Sequence, residues 1–533
     1  MGWRALLDEL SWSPPSRVPI FPLVITKRHT AGILCLTLLA SALFLWEEAG
    51  TASHPGYPLD DSWIHAQIAR NLVNGEGFAF NPGEPVAGST APLWTLVFSF
   101  LSLLPLDTVW AVKGFGVFAL FVTGLLTARL AMQSGLDREY AGAAALFVVM
   151  TPRLVWGAIS GMEVTLYAAL STGAIVCHLA SRERPTYPET ILFALASLAR
   201  PECLILFPIA AALRIVSSDN RAEVVRTYIP QAAVFALTLS PAIAFNVATI
   251  GSPFPNTFHA KVGPYGLLGA IANADLDRIA KTTLYYPLLQ LWDFVAFSAG
   301  NNLLITLLAG LALVKALRHR SAPTGWLIPV AIVAFPLIRG MVAPFKGPTF
   351  QNGRYAAHFV PIITVLGVTG LAALLKGRAS TNKAWAIVIF VILLSQQAGW
   401  IPHQARSYAR DVAAINEVHV EMGRWLSENT TEDAVVATHD IGAIRYFSDR
   451  RVIDTIGLVT PEVLDYLKPR VAADGPVLSF LKDVKPDYFV SVPSWYPELT
   501  ANRTHLTPVH ELRPKGESAV GGDRLVVYKA TWP

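Results

Sequence analysis

Two adjacent carboxylates, Asp60 and Asp61, are the first residues of this chain whose type and spacing suggest chemistry. Ile64, Ile68 and Leu72 recur every four residues after them, which predicts a helix that begins at the acidic pair. An N-terminal cap would account for one acidic residue at this position, but not for two. Paired carboxylates can serve as a general base or hold a divalent cation, and both roles remain open for this pair.

Other ionisable residues could act beside the acidic pair. His65 lies one turn after Asp61 and can share its face, either as a metal ligand or as an ordinary helix-surface residue. Glu163 and the Arg200-Pro201-Glu202 segment are predicted at the outer ends of membrane-spanning helices. Ionisable groups there are costly unless they pair or serve a function, so mutual pairing is the simpler alternative to a catalytic role.

The composition indicates that lipid surrounds much of the chain. Of the 533 residues, 53% are hydrophobic and only 15% are charged, and the mean hydropathy is +0.43. A soluble globular protein carries about 25% charged residues. The three cysteines, Cys35, Cys177 and Cys203, fall in apolar stretches without metal-ligand spacing, so neither a disulfide nor a cysteine metal site is expected.

About eleven apolar stretches are predicted to cross the membrane, which makes the chain a polytopic α-helical membrane protein. They are Ala31–Trp46, Trp110–Ala131, Tyr140–Trp156, Val164–Ala180, Thr190–Ala199, Cys203–Val216, Tyr228–Ile250, Asn302–Leu317, Gly325–Met341, Ala356–Leu375 and Ala384–Trp400. The two stretches around Arg200-Pro201 could instead form one kinked helix. The first stretch is interpreted as a retained signal anchor with a cytoplasmic N-terminus.

Basic residues in alternate loops support this count. Every loop predicted on the cytoplasmic side is basic, as the positive-inside rule requires. These residues are Arg129, Arg138, Arg182, Arg184, Arg214, Arg221, Arg226, Lys315, Arg318, Arg320, Lys376, Arg378 and Lys383. Because the basic residues follow the topology and form no outside patch, nucleic acid is not an expected partner.

Four segments are predicted on the far side of the membrane: Glu47–Ala91, Gly251–Gly300, Val342–Arg354, and Pro402 to the end. Pro92–Pro105 is interpreted as a helix at the outer interface. In the last segment, helix-like runs alternate with strand-like runs at Ala434–Thr438, Arg451–Ile456, Tyr488–Val492 and Leu525–Tyr528. The predicted organisation is a transmembrane domain of residues 1–401, with a first outside loop at 47–91, and a soluble α/β domain of residues 402–533.

An ordered set of short motifs resembles bacterial GT-C fold glycosyltransferases. In the first loop these motifs are Asp60–Leu72, Gly75-Glu76-Gly77, Asn81-Pro82-Gly83-Glu84 and Pro92-Leu93-Trp94. The later ones are Gly161-Met162-Glu163, Arg200-Pro201-Glu202, Pro255-Asn256-Thr257 with Lys261, Gly353-Arg354-Tyr355, Asp440-Ile441-Gly442 and Asp454-Thr455-Ile456-Gly457-Leu458. The nearest resemblance is to the cell-wall arabinofuranosyltransferases, which use a polyprenyl-phosphate sugar donor, and to their unassigned bacterial relatives.

The resemblance implies inverting sugar transfer from a polyprenyl phosphate to a glycan, lipid or protein acceptor at the outer face of a bacterial inner membrane. By analogy Asp60 is the base, with Asp61 as orienter, metal ligand or the true base. Lys261 and Arg354, both in outside segments, would bind the donor phosphate. The supporting residues would be His65, Glu84, Glu163, Arg200, Asn256 and Tyr355, while His439 and Asp440 would contact the acceptor.

The sequence departs from this group beside the expected site. Gln67 stands where the group commonly has an arginine, and Ala87 and Ala91 stand where it often has an acidic residue and an asparagine. These departures bear on the donor sugar more than on the fold. No cofactor is implied beyond a divalent cation, for which Asp60, Asp61 and His65 are the candidate ligands.

The sequence also suggests two classes of function other than an enzyme. A transporter or flippase for a lipid-linked saccharide would suit the number of spans, but it would place ionisable groups near the membrane midplane in matching halves of the chain. A sensor or adhesin would use the C-terminal domain to bind a ligand, and would leave the Asp60-Asp61 loop without a purpose. The polar motifs lie mainly outside the predicted spans, which favours the enzyme.

Overall fold

A computed structural model describes residues 26–532, except 182–183, 263–264, 319–325, 345, 376–380, 468–473, 502–503 and 517–521. The predicted loop cations Arg182, Arg320, Lys376 and Arg378, and the start of the predicted span at Gly325, lie outside the described residues. The described chain is mostly helical, with strands concentrated in its last fifth.

Long apolar helices make the chain an integral membrane protein. Four described helices are long and apolar enough to cross a membrane: Lys27–Thr51, Thr108–Gln133, Arg221–Ile250 and Ala357–Leu375. Shorter apolar helices are Pro92–Ser102, Val164–Ala180, Tyr187–Ala199, Leu303–Val314 and Leu327–Val342. A count of eleven spans stays a prediction, because several of these helices are shorter than the roughly 20 residues that a straight crossing needs.

Prolines interrupt the helices at two places, one within a predicted span and one between two predicted spans. The stretch predicted as Tyr140–Trp156 is two helices, Arg138–Val149 and Pro152–Ile159, bent by 56°. The helix Tyr187–Ala199 ends before Arg200, whose backbone is extended, and a 3₁₀ turn at Pro201–Ile205 leads into Leu206–Val216. A proline disfavours the helical conformation in the residue before it, which explains the break at Arg200.

The segments predicted on the far side of the membrane also contain helices and turns. In the first segment the helix Asp60–Val73, here called the loop helix, is followed by the hairpin of β1 (Ala79–Asn81) and β2 (Glu84–Pro85). The segment predicted as Gly251–Gly300 is largely helical. Its elements are Asn256–Lys261, Leu267–Ala272, Leu276–Ala280, the π-helical turn Lys281–Tyr285 and the helix Tyr286–Asn301.

One continuous helix connects the apolar part of the chain to the C-terminal sheet. This helix, Thr381–Ile415, passes through the predicted domain boundary at residues 401/402 and contains Pro402. It continues as a π-helical turn, Asn416–Val420, and then as the helix Glu421–Asn429. The two parts of the chain are therefore joined by regular helix and not by a linker.

The C-terminal residues form a five-stranded mixed sheet of order β4-β3-β5-β7-β6. The strands are β3 (Val435–Thr438), β4 (Arg451–Asp454), β5 (Tyr488–Ser491), β6 (Leu506–Leu512) and β7 (Leu525–Ala530). β3 pairs in parallel with β4 and β5, while β7 is antiparallel to β5 and β6. Helices Gly442–Ser448, Val463–Tyr466, Asp474–Val484 and Pro497–Ala501 lie between the strands.

The sequence pattern predicted four of these strands and missed β6. β6 is an edge strand whose side chains are mostly exposed, and it contains Pro508. Because proline cannot donate a ladder hydrogen bond, it is confined largely to edge strands, and a strand of this kind has no apolar run. The missing signal is therefore a consequence of the position of β6 at the edge of the sheet.

The first outside segment packs directly on this sheet. Ile64 and Ile68 of the loop helix and Phe80 of β1 belong to one buried apolar cluster with residues of β3, β4 and β5. The ring of Trp63 also packs against the rings of Tyr446 and Phe447, with centroid distances of 5.1 and 4.8 Å. The apolar face that the four-residue spacing predicted is thus the face that holds the two distant parts of the chain together.

Candidate active site

The two acidic residues at the start of the loop helix point to different partners. The N-terminal cap position is Leu59, so neither carboxylate caps the helix. Ser62, the next residue, donates a hydrogen bond to the carbonyl oxygen of Ser160 over 2.8 Å. Asp61 faces Arg354, whereas Asp60 faces the helix Gly442–Ser448. The predicted pair therefore contributes to two separate groups of residues.

Asp61 and Arg354 form an ion pair. The distance between Asp61 Oδ2 and Arg354 Nη2 is 2.6 Å, and the arginine side chain is 3% exposed while that of Asp61 is 30% exposed. Burial raises the pKa of Asp61, but the positive charges of Arg354 and Lys261 outweigh it and lower the pKa to about 2. The structure thus brings three predicted site residues together, with Asp61 in its charged form.

A strained turn positions Arg354. Gln351, Asn352 and Gly353 all have positive φ, at 45°, 56° and 80°. A non-glycine residue in this left-handed region costs roughly 1–2 kcal/mol, and such strain clusters at functional sites. A Cβ at Gly353 would lie 2.5 Å from the ring of Phe297 and 2.8 Å from Arg153 Nη1, so only glycine fits at this position.

Three arginines surround the ring of Tyr355. The guanidinium carbons of Arg200, Arg339 and Arg354 lie 4.6, 4.9 and 5.3 Å from its ring centroid. Burial raises the pKa of Tyr355, but Arg354, Lys261 and Arg200 together lower it to about 8. Arg339 is not among the predicted site residues, although a cation inside an apolar stretch was an available signal.

Glu163, Arg200 and Glu202 pair with one another, as the simpler alternative predicted. Arg200 Nη1 binds Glu163, and its Nε and Nη2 bind the two oxygens of Glu202 over 3.0 and 2.9 Å. His65 lies beside this group, with Nδ1 2.8 Å from Thr95 Oγ1 and Nε2 4.0 Å from Glu163. Burial lowers the pKa of His65, which favours the neutral imidazole.

Several donors in this group have no partner within the described chain. They are Nε and Nη1 of Arg354 and Nδ2 of Asn256, all buried. Asn256 is held next to the first segment by its backbone N–H, which donates to the carbonyl oxygen of Ala87 over 2.9 Å. Unsatisfied buried donors are rare in native proteins, and donors on a charged guanidinium suit an anion.

The carboxylate of Asp60 accepts hydrogen bonds from backbone N–H groups of the C-terminal sheet domain. Its Oδ2 accepts from the N–H of Gly442 over 2.7 Å and its Oδ1 from the N–H of Ala443 over 2.8 Å. A Cβ at Gly442 would collide with the backbone carbonyl oxygen of Asp60, so this glycine allows the close approach. Burial, the largest influence, raises the pKa of Asp60 to about 6.

Asp440 lies beside Asp60 and binds two histidines. Its Oδ2 is 3.0 Å from His419 Nε2 and its Oδ1 is 3.1 Å from His439 Nδ1. Burial raises the pKa of Asp440, but the two imidazoles hold it well below its usual range. His419 was not singled out in the sequence, since nothing along the chain places it 21 residues away against Asp440.

Glu84 and Gln67 lie away from the arginines. Glu84 Oε1 is 2.7 Å from Arg451 Nε at the edge of the sheet, and its Oε2 accepts from Asn81. Gln67 donates to Asn71 and to the carbonyl oxygen of Phe80, which fixes the hairpin against the loop helix. The structure therefore does not bring Glu84 to the group around Arg354.

The side chains predicted as metal ligands form hydrogen bonds or ion pairs with other groups of the protein. Among the described residues no group of three or more His, Cys, Asp and Glu side chains is arranged to hold a metal ion. Both oxygens of Asp60 accept backbone N–H groups, Asp61 pairs with Arg354, and His65 binds Thr95. In this arrangement the three residues do not fit a bound divalent cation.

Solved structures of glycosyltransferases share the fold of this chain. The archaeal oligosaccharyltransferase AglB from Archaeoglobus fulgidus, in complex with an inhibitory peptide and a dolichol-phosphate, aligns with a TM-score of 0.58 and 13% identity over 95% of this chain and 74% of its own. ArnT from Cupriavidus metallidurans bound to undecaprenyl phosphate aligns with a TM-score of 0.57 and 13% identity over 94% and 98%. The GT-C fold predicted from the sequence motifs is confirmed.

Sequence comparison adds one match in the C-terminal part. Residues 407–528 match a family model described as Domain of unknown function (DUF8728). No curated protein matches the sequence of the chain. The comparison of structures therefore establishes the fold, and the geometry of the site is the basis for proposing an activity.

Proposed function

We propose that the chain is an inverting glycosyltransferase that moves a sugar from a polyprenyl phosphate to a glycan, lipid or protein acceptor at the outer face of a bacterial inner membrane. The observation that carries the proposal is Arg354, a buried guanidinium that pairs with Asp61 through Nη2, while its Nε and Nη1 have no partner among the described residues. The shared fold supports it, since AglB and ArnT were solved with dolichol-phosphate and undecaprenyl phosphate.

The cations would stabilise the leaving phosphate. In the proposed step the acceptor oxygen attacks the anomeric carbon, and the bond between that carbon and the phosphate oxygen breaks. The phosphate leaves with the electron pair, so negative charge develops on it. Fixed donors aimed at such charge lower the barrier because they need no reorganisation. Arg354 supplies these donors, and Lys261 adds positive charge close enough to lower the pKa values of Asp61 and Tyr355.

Asp61 is the better candidate than Asp60 for the base that removes the acceptor proton. Both oxygens of Asp60 accept backbone N–H groups, whereas the side chain of Asp61 is 30% exposed. Asp61 is a weak base while Arg354 holds it. A donor phosphate that binds Arg354 would compete for the guanidinium, and the pKa of Asp61 would then rise. Asp60 would act through position, by fixing the sheet against the loop helix.

Acceptor recognition is proposed beside the sheet. The ring of His439 packs against Trp495 with ring centroids 4.5 Å apart, and its Nδ1 bonds to Asp440. An imidazole next to an indole offers both a hydrogen bond and an apolar face to a sugar ring. Because Asp440 binds two histidines, its part would be to orient His439.

The proposal is tested by sugar transfer in nanodiscs with a panel of polyprenyl-phosphate sugars, followed by mass spectrometry of the products. Asp61→Asn is expected to lower turnover by about 10²–10⁴-fold, the usual contribution of a general base, while donor binding persists. Arg354→Lys is expected to weaken donor binding, because lysine lacks the guanidinium fork. Glu432→Gln, at an exposed position in the C-terminal part, is the matched control and should keep wild-type turnover.

Three outcomes would count against parts of this scheme. Full activity of Asp61→Asn together with loss of activity in Asp60→Asn would return the base to Asp60. Loss of turnover in EDTA, restored by a divalent cation, would show that a metal displaces Arg354 from Asp61. Movement of the lipid-linked saccharide across liposomes without any transfer product would identify a transporter or flippase instead.

A further inference from the structure

The segment Lys281–Asn301 has an exposed face made of apolar side chains. Leu284, Leu288 and Trp292 are 68%, 63% and 72% exposed, and Val295 extends the same row. Spacings of three and four residues place these side chains on one face of a helix. Exposed apolar patches of this kind mark interaction surfaces.

The polar groups of this segment are turned toward the protein. From residue 282 to residue 301 the single charged residue is Asp293. Asp293 accepts from the N–H of Thr349 over 2.8 Å and from its hydroxyl over 2.7 Å. Gln290 is buried and accepts from Arg339. No charged side chain within this described stretch therefore lies on the exposed face.

Successive contacts show how the helix Tyr286–Asn301 is oriented. A Cβ at Gly340 would meet Pro287, Asp293 binds Thr349, and a Cβ at Gly353 would meet Phe297. The helix thus runs alongside the end of the helix Leu327–Val342 and the connection that leads from it to Arg354. The rings of Phe294 and Phe335 also meet, with centroids 6.1 Å apart, so the two helices pack against each other beyond their shared end.

The exposed row continues onto a membrane helix. Leu303, Leu307 and Leu311 of the helix Leu303–Arg318 follow directly and are also exposed. The charged residues Asp275, Asp277, Arg278 and Lys281 stand at the opposite, N-terminal end, where they pair among themselves. An apolar face that is continuous with a membrane helix, with its charges at one end, fits lipid better than it fits a soluble partner.

We infer that the face formed by Leu284, Leu288, Trp292 and Val295 is seated in the hydrocarbon of the bilayer, near its interface with water. The occupant of this face is bilayer lipid. Tryptophan is enriched at such interfaces, where an amphipathic ring contacts both acyl chains and headgroups. Through Asp293 and Thr349 the same helix holds the turn before Arg354, so a lipid-seated element supports the candidate phosphate site. The inference stands on geometry and does not depend on the proposed transfer.

The test places an environment-sensitive NBD label at Leu288→Cys or Trp292→Cys in a Cys35→Ser background, with the full chain in nanodiscs. Emission is quenched either by lipids with a doxyl group on the acyl chain or by aqueous iodide. Labels at residues 288 and 292 are expected to be quenched at least twofold more by doxyl lipid than a label at Val509→Cys, an exposed position on β6. The label at residue 509 is expected to respond to iodide.

The outcomes separate lipid from other occupants. Iodide quenching at residues 288 and 292 without doxyl quenching would show that the face lies in water, and would overturn the inference. Protection from both quenchers would show that a second copy or another protein covers the face, and would overturn it equally. Leu284→Cys provides a third position on the same row, and unchanged unfolding midpoints of the labelled proteins confirm that each variant is folded.

Discussion

At the scale of single residues, Asp60 and Asp61 show how helix geometry separates neighbours in sequence. Successive residues of an α-helix point about 100° apart, so two adjacent carboxylates cannot address one point from the same helix turn. Asp61 is therefore paired with Arg354, and Asp60 with the N–H groups of Gly442 and Ala443. The sequence suggested that the two carboxylates could share one site. In the structure they lie in two sites, and their pKa values differ.

The residue scale also yields a prediction on pH. Burial alone lowers the pKa of His419, but its bond to Asp440 and the charges of Asp440 and Asp60 raise it above its usual value. A raised folded-state pKa means that the stabilisation is complete below the unfolded pKa of about 6.5 and is lost as pH rises through the folded value. We expect the unfolding midpoint of the wild type to fall between pH 6 and pH 9, and His419→Gln to flatten part of that fall.

Differential scanning fluorimetry across this pH range measures the effect. His439→Gln serves as the comparison, because burial lowers the pKa of His439 but its bond to Asp440 raises it above the usual value, as for His419. Identical slopes for wild type and His419→Gln would show that His419 does not change its charge on unfolding, and would contradict the assignment.

At the scale of elements, the helix Gly442–Ser448 approaches the backbone of the loop helix closely at Gly442. A Cβ at Gly442 would clash with the backbone of Asp60 and lie 3.0 Å from its Oδ2. We expect Gly442→Ala to destabilise the protein by about 1–3 kcal/mol, the usual cost of overpacking, and to lower turnover. Gly475→Ala is the matched control: it lies in the helix Asp474–Val484 with open space around its Cβ, and should be neutral or slightly stabilising. Equal unfolding midpoints for the two variants would contradict the proposed close approach.

The turn before Arg354 gives a second prediction for an element. Gly353 and Gly75 have nearly the same φ, 80° and 83°, so an alanine at either position pays a similar left-handed penalty of roughly 1–2 kcal/mol. Only at Gly353 does the added Cβ also meet Phe297 and Arg153, whereas Gly75 faces open space. We expect Gly353→Ala to lower transfer at least 10-fold beyond Gly75→Ala. Similar turnover of the two variants would show that the position of Arg354 does not depend on this turn.

At the scale of the whole molecule, the sequence predicts the structural features that depend on local patterns of residues. Apolar length predicted the helices around Thr108–Gln133 and Arg221–Ile250, and strand-like runs predicted strands β3, β4, β5 and β7. Ordered motifs identified the fold and brought Asp61, Lys261 and Arg354 into one hypothesis. These features are local, because each depends on residues within one helix, strand or turn.

Features that depend on distant contacts were not predictable in this way. Arg339 joins the group around Tyr355 only because several helices converge, and His419 reaches Asp440 only after the chain turns back from β3. The continuous helix Thr381–Ile415 passes through the boundary predicted at residues 401/402, since a change in composition need not coincide with the end of a helix. Long-range geometry has no signature in a single sequence at such positions.

The packing of the first segment on the sheet predicts what a truncation does. Ile64, Ile68 and Phe80 are buried against the sheet, and each contributes about 1.5–3 kcal/mol when fully buried. Deleting residues 430–533 should therefore leave the loop helix unfolded. Hydrogen exchange of residues 60–73 is expected to accelerate strongly, while the helix Thr108–Gln133 in the same sample provides the internal control. Unchanged protection of the loop helix would show that it folds without the sheet.

The contact between Asp60 and the amides of Gly442 and Ala443 joins residues 382 and 383 positions apart. During synthesis the loop helix is made long before its partner exists. The proposed transfer site therefore stays unfinished until the sheet, which ends at Ala530, has been translated and has folded. A prematurely terminated chain would present Ile64 and Ile68 as bare apolar surface to proteases. The first segment can therefore reach its packed structure only in a chain that contains the folded sheet.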